Sequence, residues 1–94
     1  MEEEKTQAMM YLERAGLSEK QIDKLKDIGY FSAPASKGHH LAETGGLVKH
    51  SINVTRNILT LTDAYAFKWK RPESPYLIGM LHDLVKCKIG RAHV

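Results

Sequence analysis

Two short segments of this chain bring together residues able to hold a metal ion: GGLVKHS, with His50, and MLHDLVK, with His82-Asp83 and then Lys86. Each reads as part of a helix, and each sets a polar group on an otherwise apolar stripe. Burying an imidazole or a carboxylate is costly unless something meets it, and a divalent cation does so well. His50, His82 and Asp83 are therefore candidate metal ligands, offering two ring nitrogens and a carboxylate oxygen. A His-Asp dipeptide alone is common. The apolar lead-in of Leu77, Ile78, Met80 and Leu81, together with the separate upstream segment, makes the combination informative. On a continuous α-helix Lys86 would share the face of His82 and border Asp83, where its ammonium could meet a substrate phosphate. Its ordinary alternative is a solvated lysine near a helix C-terminus, where the helix dipole favours cations.

The elements that must position these residues are all helical in pattern. Acidic residues open a first helix over Glu3 to Ala15, and Gly16 breaks it. Ser18-Glu19-Lys20-Gln21 forms a capping box for a second, short helix with Ile22, Leu25 and Ile28 inward, closed by Gly29. Tyr30 to Gly38 has no period and contains Pro34, so it reads as a loop. Gly45-Gly46 precedes a longer helix to about Leu61, with Leu47, His50, Val54, Ile58 and Leu61 as its inner stripe. A linker with Lys68-Trp69-Lys70-Arg71 follows. Ser74 then caps a helix with Pro75 at its first position, carrying Ile78, Leu81, His82 and Val85. No strand-period segment, repeat or low-complexity tract is visible.

Composition narrows the setting. Ninety-four residues make one small domain, and 43% hydrophobic content argues against disorder. No apolar run is long enough for a membrane span, and the start MEEEKTQ is unlike a secretion signal. Cys87 is the only cysteine, which excludes a disulfide framework and a thiolate zinc cluster. A cytoplasmic protein is expected. The net charge of +3 is too small to imply nucleic-acid binding unaided. The closing IGRAHV resembles the translation of a sequencing-library adapter, so residues 89–94 read as a non-native tail and His93 is set aside as a ligand.

His50 followed by His82-Asp83 resembles the ligand pattern of the HD-domain metal-dependent phosphohydrolases, over roughly Pro34 to Cys87. That resemblance implies an all-α, HD-domain-like helical bundle around one or two divalent metals. It gives His50 and His82 as nitrogen ligands and Asp83 as an oxygen ligand able to bridge two ions. The family's later aspartate has no counterpart. Asp63 precedes the His-Asp pair and lies roughly 20 Å along a helix from His50, which makes it a poor substitute. Residues 1–88 thus read as the N-terminal portion of such a domain, truncated before its closing helices, with inner helix faces partly uncovered.

The stretch PASKGHHLAETGG carries a His-His pair ahead of GGLxxHS and resembles HD proteins that cleave nucleic-acid phosphodiesters, among them an exoribonuclease group and relaxase-like proteins of mobile elements. The resemblance implies that His39 or His40 contacts phosphate or donates a proton. The plainer alternative has one of them capping the next helix and the other exposed. Gly45 and Gly46 would allow close packing of the helix start, or simply a turn, and Glu43 reads as a first-turn acid.

The implied activity is metal-assisted hydrolysis of a phosphate ester, with a nucleotide or single-stranded nucleic-acid substrate favoured and Mn, Fe, Ni, Zn or Mg all suited to mixed nitrogen and oxygen ligands. A fragment without the later aspartate is expected to show little turnover. The competing class is a non-catalytic helical module that binds nucleic acid or a protein partner through its histidines and the Lys68–Arg71 segment, where cations surround an aromatic ring. Met9, Met10 and Tyr11 read as core filler, and Cys87 as a buried thiol.

Overall fold

The computed structural model describes residues 2–36 and 43–88, and these form an all-helical bundle. His39, His40 and residues 89–94 lie outside the described residues. Four α-helices follow in order: α1 (Glu2–Arg14), α2 (Glu19–Asp27), α3 (Gly46–Ala64) and α4 (Ser74–Leu81). A 3₁₀ helix, Leu84–Lys88, completes the series. No helix among the described residues is long and apolar enough to cross a membrane.

The short helices are defined by their ends. The Ser18 hydroxyl accepts from the Gln21 amide, and the Gln21 side chain accepts from the Ser18 amide, so the expected capping box is formed. Two helices stop in the same way. The amide of Leu17 bonds to Leu12 O and that of Gly16 to Glu13 O, and the amides of Tyr30 and Gly29 bond likewise to Leu25 O and Lys26 O. This double bond pattern requires a left-handed residue just past the helix, which Gly16 and Gly29 supply with φ of 93° and 89°. It also folds the next residue back on the helix. Tyr30 is that residue after α2, and it is fully buried.

The core gathers Leu12, Ile22, Leu25, Tyr30, Leu47, Ile52 and Met80, drawing on α1, α2, α3, α4 and the loop after α2. Tyr11 of α1 packs its ring on Tyr76 of α4, with centroids 5.6 Å apart. The α3 face differs from the stripe read from sequence. The buried side is Leu47, Val48, Ser51, Ile52 and Thr55, whereas His50 is half-buried and Leu61 is 56% exposed. The turn of the helix follows from its crossing with α4. A Cβ built on Gly79 would lie 2.8 Å from both Cα and Cβ of Thr55, and closer still to Thr55 Oγ1. Backbone meets side chain there with no room to spare, so the α3 face is set by Thr55.

Helix α4 also departs from expectation. Its N-cap is Glu73 rather than Ser74, without a side-chain cap, so Pro75 stands second in the helix, still within the first turn, and not first as expected. Pro75, Gly79 and Met80 are its buried residues, while Ile78 and Val85 are exposed. The helix ends at Leu81, so His82 and Val85 fall beyond it.

Candidate metal centre

His50 projects from the second turn of α3 and His82-Asp83 from the end of α4, which the α3–α4 packing brings together. His50 Nε2 lies 3.2 Å from Asp83 Oδ2, and His82 Nε2 lies 3.3 Å from the same oxygen. The two imidazole rings sit 5.4 Å apart, centroid to centroid. One ligand atom from each of the three residues lies within 4.8 Å of the others. Between 26% and 34% of each side chain remains open to solvent, so an ion could reach them.

The hydrogen-bonding state of His82 follows from its neighbour. Its Nδ1 lies 3.0 Å from the Gly79 carbonyl, which can only accept, so Nδ1 carries the hydrogen. A neutral His82 then presents a bare lone pair at Nε2, facing a carboxylate oxygen that also only accepts. Two acceptors at this distance repel unless a proton or a cation lies between them. A cation fits the spacing. With bonds of about 2.1 Å, ligand atoms around one ion are separated by roughly 3.0 Å in octahedral and 3.4 Å in tetrahedral geometry. Both contacts to Asp83 Oδ2 lie in this range. A metal-ligating histidine also characteristically donates its other ring N–H to a carbonyl or carboxylate, as His82 does to Gly79.

Tyr30 holds the end of α4 where these ligands begin. Its hydroxyl donates to Met80 O at 2.6 Å, satisfying one of the carbonyls that a helix C-terminus leaves without a partner. Burial pushes the Tyr30 hydroxyl up to about 12, and the nearby Cys87 thiol acts in the same sense. The neighbouring Ser51 hydroxyl acts in the opposite sense, although Ser51 Oγ is buried without a well-formed hydrogen bond. The same loop holds the start of α3, because the amides of Gly45 and Leu47 donate to the carbonyls of Ser32 and Ala33. Gly45 is the N-cap, at φ 84°. Residues 30–33 thus tie down both helix ends that carry the candidate ligands.

The structure brings His50, His82 and Asp83 together and treats the other candidates differently. Lys86 stands not on a continuation of α4 but in the 3₁₀ helix, where its amide bonds to Asp83 O at 2.8 Å. Residues three apart align in such a helix, so Lys86 is in register with Asp83 and not with His82. Among the described residues no ion pair holds its ammonium. Asp63 is exposed near the far end of α3. Tyr30, Thr55 and Gly79 support the site but were not singled out from sequence. Tyr30 was legible in principle, as the residue after a helix-closing glycine. A cleft between α1 and α3, lined by Gln7, Lys49, Asn53 and Arg56 among others, includes none of the three ligand residues. Compared with protein families, characterised proteins and solved structures, the chain matches none.

Proposed function

We propose that this chain is part of an HD-type metal-dependent phosphohydrolase, with His50, His82 and Asp83 holding a divalent cation. The observation that carries the reading is the shared oxygen. Two imidazole nitrogens, one of them with its lone pair fixed inward by Gly79 O, face Asp83 Oδ2 at metal-ligand spacing. A bound divalent ion supplies an acidified water near neutral pH and neutralises charge on a phosphoryl group. Asp83 contributes the negative charge that makes the site selective for a cation, and the two histidines set its direction of approach. Lys86, one 3₁₀ turn beyond Asp83, is proposed to attract the phosphate of a nucleotide or nucleic-acid substrate with its ammonium. His39 and His40 are proposed to meet the same phosphate, on the resemblance alone.

The test is ion content after chelation and reloading with manganese, iron, nickel, zinc or magnesium. One of these is retained by the wild-type chain and lost in Asp83→Ala and His82→Ala. Unchanged uptake by Asp83→Ala overturns the assignment. A companion assay on generic phosphodiesters and short RNA should show little turnover, because three protein ligands hold an ion without fully fixing its placement, and this chemistry depends on placement. Robust turnover abolished by His82→Ala would mean that the three ligands suffice.

A further inference from the structure

We propose that the corner joining α3 to α4, Tyr65 to Arg71, is a binding surface for single-stranded nucleic acid. It lies roughly 22 Å along α3 from His50 and stands independently of the metal reading. Helix α3 ends in the same double bond pattern as α1 and α2, with Phe67 N to Thr62 O at 2.9 Å and Ala66 N to Asp63 O at 3.2 Å. Here the left-handed position is taken by Ala66, at φ 49°, the only described non-glycine residue with positive φ. The turn throws two aromatic rings outward, leaving Tyr65 78% and Phe67 56% exposed.

Such exposure is unfavourable for rings with nothing to cover them, and the surroundings indicate what would. Trp69 is anchored: its indole N–H donates to Thr62 Oγ1 at 3.0 Å, and its ring meets Phe67 edge to face with centroids 5.0 Å apart. Phe67 is therefore held at a fixed angle with a face available. Lys68, Lys70 and Arg71, interleaved with these rings in sequence, are all exposed, and the acidic residues of this stretch, Asp63 and Glu73, stand at its two ends. Positive charge supplies attraction to a phosphate backbone, and ring faces supply stacking for unpaired bases of any sequence. A duplex is a poorer fit, since its major groove takes a helix or a β-ribbon and this corner is a turn. An anionic membrane is also poorer, because tryptophan, which membrane interfaces favour, is turned inward onto Thr62.

The experiment is fluorescence anisotropy of labelled twenty-residue oligo(dT) and oligo(U) with the full chain in EDTA, so that neither metal nor hydrolysis contributes. Saturable binding is expected, with a log–log salt slope of about −2 for three neutralised phosphates. Tyr65→Ala and Phe67→Ala should each weaken it about tenfold, while leaving affinity for heparin, which has no bases, unchanged. Lys68→Gln with Lys70→Gln should weaken both ligands and bring the slope to about −0.7. Quenching of Trp69, the only tryptophan, should accompany oligonucleotide binding. If Phe67→Ala disturbs the Trp69 contact and the fold, Tyr65→Ala carries the test, since its exposed ring can be removed without opening the core. Absence of saturable binding overturns the proposal, as does full affinity in Tyr65→Ala. So does capture by phosphatidylserine vesicles in place of oligonucleotide.

Discussion

Replacing Gly79 by alanine tests whether the helix crossing, more than the ligands' own chemistry, sets the site. The added methyl would begin 2.8 Å from Thr55 Cα, whereas carbon atoms in contact prefer about 3.5–4.0 Å. Relief requires moving α4 away from α3 by about 1 Å. His82 and Asp83 leave with α4 while His50 stays with α3, so the 3.2 Å His50–Asp83 separation opens toward about 4 Å, wider than the roughly 3.0–3.4 Å between adjacent ligands of one ion. A 10- to 100-fold loss of metal affinity is expected, the range seen when support behind metal ligands is removed.

The measurement is thermal unfolding with and without saturating metal. An ion that binds only the folded chain stabilises it by about 1.4 kcal/mol per decade of concentration above Kd, so each tenfold loss of affinity shrinks the metal-induced rise in Tm by roughly 6–11 °C. Metal-free stability should change less, because overpacking costs about 1–3 kcal/mol while alanine recovers about 0.5–1 kcal/mol of helix propensity. Adding Thr55→Ala should restore little, since the Thr55 Cα remains in the way. A Gly79→Ala chain with the wild-type metal-induced shift refutes the reasoning.

Tyr30 predicts alkaline sensitivity. Its hydroxyl ionises near pH 10 when unfolded and at about 12 when folded, so stability is fully present below pH 10 and falls by about 1.4 kcal/mol per unit from there to pH 12. Tyr30→Phe should flatten that decline in urea titrations while costing about 1–3 kcal/mol at neutral pH, because Met80 O loses its donor. A decline of equal slope in the variant would assign it to other groups. Ala66→Gly should relieve the left-handed strain and raise stability by up to about 1 kcal/mol, or some 4–8 °C in Tm; a lower Tm would mean that the alanine is not strained.

The all-helical architecture, the α2 capping box and the closing role of Gly29 were legible because each depends on residues a few positions apart. The polarity of His50, His82 and Asp83 also stands out against apolar neighbours, and the fold brings these three side chains together. The rotation of α3 was not legible. Its sequence offers apolar residues on more than one side, and the buried side was decided by Thr55 meeting Gly79 from a different helix. The end of α4 was misread for a related reason. Leu84 and Val85 continue an apolar pattern, but Tyr30, fifty residues away, takes the Met80 carbonyl, and the chain tightens into a 3₁₀ turn beyond it. That tightening, invisible in the local pattern, moved Lys86 from the register of His82 to that of Asp83.

The Tyr30–Met80 bond also sets an order of events. Because it spans fifty positions, it forms only after a large loop has closed, and loop closure of that length is among the later and slower steps of assembly. As the chain leaves a ribosome, His50 is presented on α3 well before His82 and Asp83 emerge. Until then a lone imidazole on a nascent helix has no partner ligands, and on the proposed metal reading an ion would be captured only as the second half docks. Such a capture would act on the lifetime of the finished fold, slowing its opening, and contribute little to the speed at which the fold is reached.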